Sequence, residues 1–193
     1  MEPNTREAAW SIVNEFTTDP ALIRHMLSVE SAMRAYAPRY GGDPELWGTV
    51  GLLHDFDYQQ YPLLDGSGHP KLGVAILRAR GWREDILHAI LAHAPELTGV
   101  APASDLERVL CAVDELTGLI AAVTFVRPSK NIADVEVSSV KKKWKDKGFA
   151  AGVHRDEIER ATQELGVPLD EHIGVVLGAM QADAAALGLN GTR

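Results

Sequence analysis

Twice in this chain an aspartate stands directly before a proline, and a train of apolar residues at helical spacing follows each time. Asp19-Pro20 precedes Leu22, Met26, Val29 and Met33; Asp43-Pro44 precedes Leu46, Val50 and Leu53. An aspartate at the N-cap accepts from free backbone N–H groups, and a proline fits the first helical position because it has no N–H to lose. The same grammar continues along the chain. The spacing predicts helices over about Pro70 to Arg80 with Gly81 as the stop, Arg83 to His93 ending before Pro95, and Ser104-Asp105 to Thr124. A basic helix over Val137 to Lys147 follows, then Arg155 to Leu165 and Asp170 to Leu187, separated by Gly166-Val167-Pro168. Strand alternation is scarce. Only short stretches such as Ala121 to Val126 suit a strand, and they also suit a helix end. The expectation is an all-α, single-domain helical bundle with a loop over Tyr58 to Gly68.

The chain has 193 residues, 46% of them hydrophobic, which suffices for one sizeable core. Its formal net charge is -8, which disfavours broad nucleic-acid or membrane binding. A single cysteine, Cys111, rules out an intramolecular disulfide. No apolar run approaches the roughly 20 residues that span a bilayer, and the first residues lack a signal-peptide core. A cytoplasmic location is the expectation.

Several polar residues fall where the helical period places the core. His25 lies between Leu22 and Val29, His54 follows Val50 by one turn, His93 follows Ile86 and Ile90, and Asp114 follows Leu110 beside Cys111 and Val113. His69 stands at the start of another predicted helix. A buried carboxylate without a partner costs several kcal/mol or takes up a proton, so Asp114 needs a compensating cation. Few Arg or Lys residues share these faces. Imidazole nitrogen with carboxylate oxygen suits divalent transition metals, and facing helices of a bundle are the usual frame for such a site.

In order, His25, His54-Asp55, His69, His93 and Asp114 resemble the signature of the HD-domain superfamily of metal-dependent phosphohydrolases. The local contexts Gly51-Leu52-Leu53-His54-Asp55, His69-Pro70-Lys71-Leu72-Gly73, Ile90-Leu91-Ala92-His93 and Ala112-Val113-Asp114-Glu115-Leu116 are similar too. From Arg127-Pro128-Ser129-Lys130 onward the chain is similar to small stand-alone bacterial HD proteins. The resemblance implies an HD-type fold over 1–193, with a metal-site core at about 20–125 and C-terminal helices over 126–193. It implies one or two divalent ions among Fe, Mn, Co, Ni and Zn. His25, His54, Asp55 and Asp114 would bind the first, His69 and His93 the second, with Asp55 bridging. Phe56-Asp57 after the pair, Ala94-Pro95-Glu96 after His93, and the absence of a Gly-Tyr-Pro motif set the chain apart from cyclic-dinucleotide phosphodiesterases. The Glu-Asp motif of the alarmone hydrolases is missing as well.

The activity so implied is hydrolysis of a phosphate ester of a nucleotide or other small molecule by a metal-bound hydroxide, with Asp55 at its centre. Asp57 and Glu96 are candidates to orient or deprotonate the water, and Arg127 and Lys130 to bind the anionic substrate. Two alternatives share the ligand list. One is a mixed-valent di-iron oxygenase of the same superfamily, the other a non-catalytic metal-containing binding module.

Overall fold

The computed structural model describes residues 2–191, and among them the chain is helical, with no strand beyond a lone bridge between Asn131 and Asn190. Both Asp-Pro signals open helices. Asp19 accepts from the N–H of Ala21 at the start of α2 (Pro20–Tyr36), and Asp43 accepts from that of Glu45 at the start of α3 (Pro44–Leu53). A helix that the apolar spacing alone did not announce, α1 (Arg6–Phe16), precedes them. Thr5 caps it, and it buries Ala8, Ala9, Ile12, Val13 and Phe16.

The most extensive pairing among the described residues joins α2 and α3, and Gly51 permits their close approach. A Cβ on Gly51 would stand 3.0 Å from the backbone nitrogen of Glu30 and from the carbonyl carbon of Val29. Because α3 is buried from Trp47 to Leu53, its apolar residues face the core on all sides. His54 follows as its C-cap, already in the interior.

Two short helices come next, α4 (Lys71–Ala79) and α5 (Glu84–Ala92), and then a single turn, α6 (Pro95–Thr98). The long α7 (Asp105–Phe125) runs through the centre. It starts with a reciprocal cap: Ser104 accepts from the N–H of Glu107, and Glu107 accepts from that of Ser104. The segment at Ala121 to Val126 is the last turn and C-cap of this helix, not a strand, because its N–H groups are satisfied within the helix.

The C-terminal part carries α8 (Val137–Trp144), α9 (Arg155–Leu165) and α10 (Leu169–Ala182). Two of these end earlier than their sequence pattern predicts. The basic helix stops at Trp144, and Arg155 then gathers the carbonyls of Asp146, Phe149, Ala150 and Val153 in the turn that follows. The last helix stops at Ala182. The N–H of Leu189 turns back to the carbonyl of Ala184, and this places Leu187 and Leu189 in the core. Helix α10 packs on α2 and α7, while α9 packs on α7. No helix among the described residues is long and apolar enough to cross a membrane.

Candidate metal centre

Four helices deliver five ligand-type side chains to one point: α2 brings His25, the end of α3 His54 and Asp55, the α5 terminus His93, and α7 Asp114. His69 arrives from the loop just before α4. They form two groups. In the first, Nε2 of His25 lies 3.2 Å from Nε2 of His54 and 2.9 Å from Oδ1 of Asp114, and His54 lies 3.4 Å from the same oxygen. In the second, the Nε2 atoms of His69 and His93 are 3.3 Å apart.

Asp55 stands between the groups. Its Oδ2 is 3.5 Å from the Nε2 atoms of both His25 and His54. Its Oδ1 is 3.2 Å from His69 and 3.6 Å from His93. One carboxylate thus turns one oxygen to each half, as a bridging ligand must.

The ring tautomers follow from the hydrogen bonds. A carbonyl only accepts, so Nδ1 of His54 donates to Gly51 (2.7 Å) and Nδ1 of His93 to Ile90 (2.5 Å). Nδ1 of His69 donates to Asp57 (2.7 Å). Nδ1 of His25 faces the hydroxyl of Thr117 (3.4 Å), which itself donates to the carbonyl of Asp114. Each neutral ring therefore points an Nε2 lone pair inward, toward the others and toward carboxylate oxygens. Convergent acceptors with no donor between them repel, and a cation removes the repulsion. Without an ion, protons take its place. Burial opposes charge on His25, but its bonds to Asp114 and Asp55 outweigh burial and raise the ring to about 10. Burial likewise opposes charge on His54, and Asp55 and Asp114 raise it nonetheless. Burial would lift Asp55 and Asp114, yet the facing imidazoles hold both well below the usual carboxylate range. The donor set suits divalent metal, and in each half the ligand atoms lie within 4.8 Å of one another, close enough that either group could hold an ion.

The centre opens on a cavity of about 750 Å3. Asp55, His69, His93 and Asp114 lie at its floor. Its walls include Tyr58, Cys111 and Glu96, the last exposed at the rim. They also include residues of α9 that the sequence pattern did not single out, among them Arg160, the one arginine or lysine among the described residues that lines the cavity. The polar face of α9 resembles any solvated helix face, so only its packing against α7 reveals it as a wall.

Three of the expected site residues lie away from the open cavity. Arg127 and Lys130 do not line the cavity. Arg127 instead donates to the hydroxyl of Ser139 on α8, and Lys130 is exposed in the turn after α7, because the chain leaves that helix on a side away from the cleft. Asp57 is not free to handle water. It is fully buried, Oδ1 accepts from His69, and Oδ2 accepts from the backbone N–H of Gly73 at 2.8 Å.

Comparison with known proteins agrees with this geometry. The family model described as "HD domain" matches residues 22–119, which contain all six side chains. Ribonuclease Y of Cutibacterium acnes is 34% identical over 65 residues, covering 34% of this chain and 12% of that protein. Ribonuclease Y of Rhodopirellula baltica is 32% identical over 81 residues, covering 42% of this chain and 15% of that protein. The chain thus matches only a small part of these relatives' length. No solved structure was found to match it.

Proposed function

This chain belongs to the HD-domain family, a family generally of metal-dependent hydrolases, and from that premise we propose that it is a phosphohydrolase using two divalent ions on a small phosphate ester. The observation that carries the reading is Asp55, whose two oxygens face two separate histidine groups. His25, His54 and Asp114 would hold one ion, His69 and His93 the other, and Asp55 both. Ions held there would activate water and neutralise charge developing on a phosphoryl group.

The chain's own residues supply position and selection. The peptide carbonyls of Gly51 and Ile90 hold His54 and His93 in the ligating tautomer. Of the two carboxylates expected to handle water, Glu96, exposed at the cavity, is the one that His69 and Gly73 do not engage. Arg160 is the guanidinium available to an anionic group in the cavity. The cavity is of the size that takes a small molecule. Glu96, Glu115, Glu157 and Glu164 share its walls with Arg160, a balance that disfavours a long polyanion. We also propose that residues 1–193 act as one domain, since α9 walls the cleft and α10 buries Ile173, Val176 and Met180 in the common core.

Metal analysis of the purified protein, followed by phosphate release from nucleotides and phosphomonoesters with Mn, Co, Ni or Fe, tests this. Release that disappears in Asp55→Ala, with the helical circular dichroism unchanged, is the expected result. A protein that holds two ions yet releases no phosphate with any of these metals, and consumes oxygen as a di-iron form, would overturn it.

A further inference from the structure

The two halves of the centre are unequal in charge. The first has Asp114 to itself and a share of Asp55; the second has only its share of Asp55. Behind the second half stands the carboxylate of Asp57, which faces neither group directly. Its single route to the centre is Nδ1 of His69, 2.7 Å away.

His69 is distinctive among the four histidines. The others rest Nδ1 on a neutral oxygen, from Gly51, Ile90 or Thr117, whereas His69 rests it on a carboxylate. Such a partner fixes the tautomer, holds the ring plane and lends negative charge to the ligand; its loss typically weakens metal binding about 10–100-fold. The structure around Asp57 is built to hold it. Gly73 lies in the first turn of α4, where backbone N–H groups have no helical acceptor, and its N–H donates to Oδ2. A Cβ on Gly73 would stand 2.6 Å from Cγ of Asp57, so only glycine lets the carboxylate sit there.

Resting on the two-ion reading above, we propose that Asp57 is a positioning residue that sets the affinity of the second ion through His69. It stands in for the carboxylate that the second half lacks, and it decides whether the protein holds one ion or two.

Asp57→Asn separates the requirements. The amide can offer its oxygen to His69 or to Gly73 but not to both. With its NH2 turned to His69, Nδ1 must accept, the ring proton moves to Nε2, and that nitrogen can no longer ligate. Titration of metal-free protein with Co(II), followed by calorimetry and by visible absorption, reads the two sites. The wild type is expected to take two ions per chain. Asp57→Asn should keep the first with affinity within about twofold and lose about 10–100-fold at the second. Gly73→Ala, which alters no ligand and no charge, should show the same selective loss. Nitrogen-15 shifts of the His69 ring in the metal-free wild type should show a proton on Nδ1, a measurement that needs no variant to fold. A ring protonated on Nε2 alone, or a folded Asp57→Asn protein that binds both ions as the wild type does or weakens both alike, overturns the assignment. A wild type that saturates at one Co(II) overturns the two-ion reading itself, a result distinct from either.

Discussion

Removing one hydroxyl from the core should measurably loosen this fold. Tyr36 on α2 and His172 on α10 are both fully buried, and Oη of Tyr36 lies 2.6 Å from Nδ1 of His172. Nε2 of His172 is 2.8 Å from the carbonyl of Ala112 on α7. Since that carbonyl can only accept, Nε2 carries the proton and Nδ1 accepts from Tyr36. The chain of bonds ties three helices together two residues from Asp114. Tyr36→Phe leaves the Nδ1 lone pair buried and unpaired, a cost of about 1–3 kcal/mol. For a chain of this length each kcal/mol moves Tm by about 2–4 °C, so a fall of about 2–12 °C is expected. Thermal unfolding of both metal-free proteins at pH 7.5, followed by circular dichroism, measures it. A fall of less than about 1 °C would refute the claim that this bond is made and matters.

The same ring sets a pH dependence. Burial pushes His172 down to about 4 from its usual 6.5. Between those values the unfolded chain binds a proton that the folded chain refuses. The contribution is therefore whole above about pH 6.5 and declines as pH falls toward about 4, at up to about 1.4 kcal/mol per unit. His172→Leu should flatten that part of the metal-free stability profile, and an unchanged slope would assign it to other groups.

Two further outcomes test the fold's placement of the site. Gly51→Ala should press α3 away from α2, part His54 from His25, and weaken the first ion about tenfold by calorimetry; an unaltered first site would mean that the helices absorb the added methyl. Arg127→Ala should leave kcat/KM within about twofold while costing about 1 kcal/mol of stability through the lost bond to Ser139; a tenfold fall in kcat/KM would return Arg127 to substrate binding.

Much of the helical framework was legible in the sequence because its signals are local. Asp19-Pro20, Asp43-Pro44 and Ser104 mark helix starts by chemistry within a few residues. The ligand-type residues were legible for the same reason: a polar side chain at the spacing of Val50 or Ile90 must share the face those residues bury. Local signals fail where the chain turns back on itself. The run after Ala182 keeps helical composition, yet the core is better filled by turning Leu187 and Leu189 inward.

What the tertiary structure alone decided is which groups meet. Asp57, two residues from Asp55, is kept from the cleft by a loop that returns His69 and Gly73 to it. Arg127 and Arg160 are equally charged in the sequence, but only the helix bearing Arg160 turns that side chain to the cavity. Which face a residue takes is set by a helical repeat of a few residues. What stands opposite that face depends on how helices far apart in sequence cross, and the close approach at Gly51 and the buried chain through His172 are contacts of that long-range kind.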